Sequence, residues 1–305
     1  MIKSFLKVGG AVVLLAVAAV AVQWVRQAWA QAEAERQWQG STVQRLQDLG
    51  TTRSLVILPV FEQAAARPDL EPDHGVSYLV KTDHQTILVD AGMTPARWQH
   101  NAQALGLNAA EIDTMFLTHL HPDHLGGQSA WWENTITLGA PPVDLSGKRV
   151  YVPLPLNGVG PGMVVASQPL KVADGVATIG AIAFPELFPF SLRSPLNAEQ
   201  SLAVHVAGKG IVLIMGCGHP TVERIVARAQ AAFAEPIVGI VGGLHYGSLS
   251  QEQVQPHIAF VKSLNPQLVA LSPHDSGPDA LQAFHTAFPT VYREIEVGQS
   301  IVFGQ

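Results

Sequence analysis

The 305 residues predict an α/β fold, and three observations carry that prediction. Apolar runs of strand length recur along the chain, as at residues 54–61, 86–89, 211–215, 237–241 and 267–271. Most of them end in a turn rich in glycine or histidine, such as Asp90-Ala91-Gly92, Gly216-Cys217-Gly218-His219 and Gly242-Gly243-Leu244-His245. Stretches of helix-forming residues follow, with Pro95, Pro122, Pro220 and Pro278 where a first helical turn begins and the missing proline N–H costs nothing. Strand, turn and helix in regular alternation define the α/β class.

Composition removes several function classes. The formal net charge is −6 and only 14 % of residues are charged, so there is no basic surplus for a nucleic acid, and no RNA- or DNA-binding motif occurs. A single cysteine, Cys217, rules out an intramolecular disulfide. An unpaired thiol in an exported protein is open to oxidation unless it is buried or metal-bound.

The N-terminus reads as an address. Lys3 and Lys7 precede an apolar run over residues 8–25 interrupted by Gln23, the pattern of an export signal or signal anchor. Ala28-Trp29-Ala30 is an Ala-x-Ala cleavage site. The expected arrangement is a signal or anchor over residues 1–30, a helical stalk or linker over 31–51, and a catalytic domain over 52–305. That domain is expected on the periplasmic side of the inner membrane, retained by the anchor or released by cleavage.

Within the domain, residues 54–61 predict a strand, and 75–81 with 86–89 a β-pair. Residues 94–105 predict a helix stopped by Gly106. The segment 133–168 is irregular and rich in proline and glycine, the character of a lid or substrate loop, with Trp131 and Trp132 just before it. Residues 184–190 are a second candidate loop over the site. Residues 201–207 and 211–215 predict a hairpin, and a helix is expected from Pro220 to about residue 234. Ser250 and Gln253 form a capping box for a helix to about residue 264. A helix over 278–288 and a strand over 299–303 close the chain. His257 and His285 fall inside helices and read as surface or packing residues.

The densest chemistry lies at Thr118-His119-Leu120-His121-Pro122-Asp123-His124-Leu125-Gly126-Gly127. His119 and His121 are two apart in extended chain and share a face, while Asp123 and His124 open a helix and turn toward a neighbouring point. Two imidazoles beside a carboxylate and a third imidazole suit two metal ions a few ångströms apart.

The His-x-His-x-Asp-His-Leu-Gly-Gly pattern resembles the metallo-β-lactamase superfamily. The resemblance implies an αββα sandwich of two mixed β-sheets flanked by helices and a dinuclear zinc hydrolase, with Mn²⁺ or Fe²⁺ as other possible metals. It implies a role for Asp90, in Asp-x-Gly, as a carboxylate supporting the metal loop. The superfamily's third-motif histidine is missing, and Asn197-Ala-Glu-Gln-Ser201 stands there instead. Gly-Cys-x-His-Pro, Gly-Gly-x-His and Pro-His-x-x-Gly resemble the dihydropterin-type synthase-like branch. That likeness carries the missing ligand role to His219 and the final one to His274, and makes His245 a ligand or substrate contact. Cys217 occupies the place of a bridging Asp, as a thiolate ligand or as a small buried hydrophobe. Asp275 stands where that synthase-like pattern has Cys, which sets this chain apart from it.

The implied ligand sets are His119, His121 and His219 for one metal and Asp123, His124 and His274 for the other, with Cys217 near the bridge. A metal-activated hydroxide is the implied nucleophile, and His245 or Asp275 could protonate the leaving group. The expected substrate is a small ester, lactone, amide or phosphoester. Basic residues near the motifs are few (Lys148, Arg149, Lys171, Arg193), so no phosphate clamp is indicated. The alternatives are a dihydropterin-type synthase-like transferase and a membrane-tethered metal-binding protein without turnover.

Overall fold

Residues 2–304 are described in the computed structural model, with side chains described from residue 17 onward. The chain forms two units: Val43–Ile182 with Ala198–Gln305, and Met1–Thr42 with Ala183–Asn197.

The larger unit is built on two mixed sheets. The first contains β1 (Ser54–Phe61), β2 (Ser77–Thr82), β3 (Thr86–Val89), β4 (Thr114–Phe116), β5 (Arg149–Val152) and β6 (Met163–Val165) side by side, with β15 (Ile301–Gly304) outside β1. The second contains β7 (Leu170–Ala173), β8 (Val176–Thr178), β11 (Leu202–Val206), β12 (Gly210–Ile214), β13 (Ile237–Gly242) and β14 (Leu268–Leu271), in the order β14-β13-β12-β11-β8-β7. Neighbours β3 to β6 pair in parallel, as do β12 to β14; the antiparallel pairs include consecutive strands (β2-β3, β7-β8, β11-β12) and the non-consecutive pairs β1-β15 and β8-β11. Leu55, Ile57, Tyr78, Val80 and Phe116 of one sheet share a buried core with Val204, Val212, Ile214 and Val241 of the other. Every residue of β12 and β13 is buried, as expected for parallel strands covered on both faces.

The helices are α2 (Pro95–Ala104), which packs on β1, α3 (Pro122–Leu125), α4 (Gln128–Glu133), α5 (Val222–Ala232), which packs on β13, α6 (Gln255–Ser263) and α7 (Pro278–Ala287). The helix expected from Pro220 opens two residues later, because Thr221 takes φ +81° at its N-cap. The Ser250–Gln253 box forms in both directions, at 2.9 and 3.3 Å, although α6 itself begins at Gln255.

The largest departure concerns residues 133–168. The sequence suggested a lid, yet Val150-Tyr151-Val152 adds β5 in parallel beside β4, and β6 follows at the sheet edge. β-branched and aromatic residues fit a buried pleat, and the surrounding glycines and prolines concealed this short run. The intervening loops bound a cavity of about 740 Å³ lined by Val143, Lys148, Arg149 and Pro161, and no predicted site residue lines it.

In the smaller unit, α1 (Ile2–Gly40) is one unbroken helix through Ala28-Trp29-Ala30. It takes in the first half of the expected 31–51 stalk and stops at Gly40, a poor helix former, and the chain beyond is irregular to Leu49, which is buried. Half of the apolar 8–25 run, residues 8–16, has side chains outside the described residues. Among the described residues no helix is long and apolar enough to cross a membrane. The strands β9 (Ile182–Pro185) and β10 (Leu196–Glu199) form a two-stranded arm, and a 3₁₀ turn at Phe190–Leu192 lies between them. Gln23 Nε2 donates to Ser191 Oγ (2.5 Å) and Arg26 Nη2 to the Ser191 carbonyl (3.0 Å), which ties this turn to α1.

Candidate metal centre

The predicted donors all stand just beyond the C-terminal ends of strands. Asp90 follows β3, His119 to His124 follow β4, Cys217 and His219 follow β12, His245 follows β13, and His274 follows β14. The carboxyl ends of parallel strands are where α/β sheets place ligands, because crossover loops diverge there and leave a crevice.

Seven side chains converge. One group, Asp123, His124, Cys217 and His274, offers four ligand atoms within 4.8 Å of one another, and a second, His119, Cys217 and His219, offers three within the same limit. Cys217 belongs to both. His121 adjoins the second group, its Nδ1 3.1 Å from His119 Nε2 and its ring centroid 4.8 Å from that of His219. His124 Nε2 lies 3.1 Å from Cys217 Sγ, and His274 Nε2 2.9 Å from Asp123 Oδ2.

Asp90 sets the proton positions. Held at φ +57°, it is fully buried and accepts from the Thr118 N–H (2.8 Å), the Thr118 hydroxyl (2.6 Å) and His124 Nδ1 (2.7 Å). With its own proton given to Asp90, the Thr118 hydroxyl accepts from His119 Nδ1 at 3.1 Å, which leaves His119 Nε2 as a lone pair aimed at the cluster. His124 Nε2 is turned inward by the same logic. Thus one carboxylate orients an imidazole in each donor group, the usual outer support of a metal-bound histidine. Gly216 is required beside it, since a Cβ there would collide with Thr118 Oγ1.

Two further carboxylates were not singled out in the sequence. Glu62, just past β1 and fully buried, accepts from Tyr78 OH (2.8 Å), Ser272 Oγ (2.7 Å), the His274 N–H (2.9 Å) and the Gln63 N–H (3.0 Å). Glu199 accepts the N–H groups of Gly218 (2.8 Å) and His219 (2.9 Å). It lies within Asn197–Ser201, the stretch that lacks the expected histidine. His74 was missed too: its ring centroid is 4.1 Å from that of His274 and its Nε2 3.7 Å from Asp123. An acid directly after a buried strand was the one available signal for Glu62.

The electrostatics suit a cation. Burial alone would push the Asp123 pKa up, but His124, His274 and His121 outweigh it and hold the carboxyl below its ordinary range. Burial pulls His124 down, yet the charges of Asp90 and Asp123 raise it to about 9. His119 and His219 are driven well below the ordinary imidazole value, by burial first and then by neighbouring histidines. Burial, then the charges of Asp275, Asp123, Glu199 and Asp90, push the Cys217 thiol well up. The neutral imidazoles of His119 and His219, the ionised Asp123 carboxylate, and a thiol and further histidines among carboxylates form a donor set that fits divalent metal, and a bound cation would displace the protons that His124 and the Cys217 thiol hold without it.

The predicted proton donors have distinct surroundings. His245 is exposed at φ +58°, with its ring centroid 4.4 Å from that of His219. The Asp275 carboxylate accepts the His245 N–H at 3.0 Å, and burial raises its pKa to about 7. Asp275 therefore holds the His245 backbone, and His245 stands at the open side.

Two sheets, flanking helices and this ligand crevice define a metallo-β-lactamase-fold protein with a cluster of donors that could hold metal. Residues 70–144 match the family model of the metallo-beta-lactamase superfamily. In solved structures the chain is similar to Tm1679, a metal-dependent hydrolase of the beta-lactamase superfamily (TM-score 0.62, 20 % identity, covering 82 % of this chain and all of that one). It is also similar to the metallo-beta-lactamase fold protein YhfI from Bacillus subtilis (TM-score 0.52, 10 % identity, 82 % and 100 % covered). Among curated proteins it is 21 % identical, over 265 residues, to 7,8-dihydropterin-6-methyl-4-(beta-D-ribofuranosyl)-aminobenzene-5'-phosphate synthase of Methanocaldococcus jannaschii, with 75 % of this chain and 90 % of the relative covered.

Proposed function

We propose that the chain is a metal-dependent hydrolase with a dinuclear zinc site, acting on a small ester, lactone, amide or phosphoester. The observation that supports this reading is Cys217, the one donor common to both ligand groups among the described residues. His119, His121 and His219 would hold one ion and Asp123, His124 and His274 the other, with Cys217 beside both groups. Such a pair supplies Lewis acidity and lowers the pKa of a water it holds.

The chain's own groups supply the rest. Asp90 and Thr118 keep inward lone pairs on His119 and His124. Asp123, outside full burial, is placed to accept a proton from the attacking water. His245, fixed from behind by Asp275, stands at the open side to protonate the leaving group. Zinc is favoured by the thiol and imidazoles; manganese and iron prefer harder donor sets.

Metal content of purified chain tests the ligand assignment. About two zinc ions per chain are expected in the native protein, and near-stoichiometric zinc retained by a His119→Ala/His219→Ala double variant would sink it. A panel of esters, lactones, amides and phosphoesters tests turnover. The second reading, a synthase-like transferase, draws on the name of the archaeal relative. Condensation product from a pterin substrate and a phosphorylated ribose acceptor would favour it over hydrolysis. We further propose that residues 8–25 direct export and anchor the protein at the periplasmic face of the inner membrane.

A further inference from the structure

Thirteen large apolar side chains are exposed among the described residues, and nine of them belong to the smaller unit, six on α1 and three on the arm. Over residues 17–22 (Val-Ala-Ala-Val-Ala-Val) α1 is exposed at every position and has no polar face. A helix apolar all round belongs inside a protein core or in lipid, and here no core surrounds it. On the arm Leu187 and Phe188 are 62 % and 69 % exposed, and Leu192 is 55 % exposed. The bonds from Gln23 and Arg26 to Ser191 bring these residues to the end of the apolar run, next to exposed Trp24 and Val25.

Charge selects the occupant. The first 32 residues contain Lys3, Lys7 and Arg26 and no acid, against a net charge of −6 for the whole chain. The arm's acid, Glu186, is buried and accepts from Asn197 Nδ2 at 2.6 Å. Tryptophans with an arginine at the end of an apolar run are the composition of a membrane–water boundary. An apolar surface flanked by cations fits an anionic bilayer better than an acidic or neutral protein partner.

We propose that α1 and the 187–192 turn form one lipid-contacting surface, in which Leu187, Phe188 and Leu192 enter the headgroup–acyl boundary of an anionic bilayer beside α1. This rests on the membrane reading of residues 8–25 and adds a second, separate contact to it. An apolar turn of this kind would hold the unit against the membrane at two points.

The test uses full-length protein carrying Leu187→Cys labelled with an environment-sensitive fluorophore, with the unsubstituted chain, whose one cysteine, Cys217, is buried, as the labelling control. With vesicles of equal parts phosphatidylcholine and phosphatidylglycerol, a blue shift and quenching by a nitroxide lipid are expected, weaker on phosphatidylcholine alone. Protein that floats with the vesicles while the probe keeps its aqueous spectrum overturns this inference and leaves the anchor intact. Protein that does not float overturns both. A probe shielded without vesicles, together with a dimer in solution, overturns it in favour of a second copy of the chain. An equal shift on phosphatidylcholine alone overturns the anionic preference.

Discussion

Asp90 sets two imidazoles with one side chain, reaching His124 directly and His119 through Thr118. Asp90→Asn keeps the shape but removes the acceptor character that fixes both tautomers, so zinc affinity should fall about 10- to 100-fold. Competition with a chromophoric chelator measures this, and unchanged affinity contradicts the tautomer argument. In chelator-treated protein the same contact has a pH signature. His124 has a folded pKa of about 9, above its ordinary value, so its contribution is complete below about pH 6.5 and is lost as pH rises through 9. The melting temperature of the metal-free chain should therefore decline over that interval, and less steeply in Asp90→Asn; a flat profile contradicts it. Glu62→Ala would strand three buried donors and should cost at least about 2 kcal/mol by denaturant titration, while Glu62→Gln retains one acceptor and costs less. The His-rich loop and Asp-x-Gly were legible because several ligand types crowd into few positions. Glu62, Glu199 and His74 were not, since each is a single polar residue whose role depends on contacts from distant chain.

At the scale of elements, the donors depend on where strands stop. β12 and β13 run in parallel through the second sheet, and their final residues deliver Cys217 and His245 to the same edge. Ile214 is fully buried one residue before Met215 and Gly216, so Ile214→Ala should cost about 2–5 kcal/mol in thermal or chemical unfolding. A loss near zero would mean that β12 is not held by its packing. Long apolar runs bounded by glycine made these strands readable in advance. β5 and β6 escaped because they are short, lie among prolines and glycines, and gain their identity from pairing with β4 and with each other. Helix boundaries shifted for local reasons, most clearly at Thr221, where a left-handed residue displaces the start of α5 beyond Pro220.

For the whole molecule, alternation of strands and helices made the α/β class legible and the resemblance carried by the His-rich loop supplied the αββα sandwich, whereas the grouping of residues 183–197 with α1 was not legible, because nothing local links a proline-rich loop to a helix more than a hundred residues earlier. Metal should be visible in global stability. A ligand that binds only the folded chain at a hundred times its Kd stabilises it by about 2.7 kcal/mol. Chelation should lower the unfolding midpoint accordingly and re-addition of zinc should restore it; a midpoint indifferent to both contradicts a zinc site of that strength. The donors also span the chain widely, from His119 in one sheet's loops to Cys217 and His274 in the other's. An ion shared among them would act as a cross-link, closing long loops in a chain whose single cysteine can form no disulfide of its own. The penalty for losing that staple falls on the packing of the two sheets together, so a demetallated chain would part along its central seam before its individual hairpins melt.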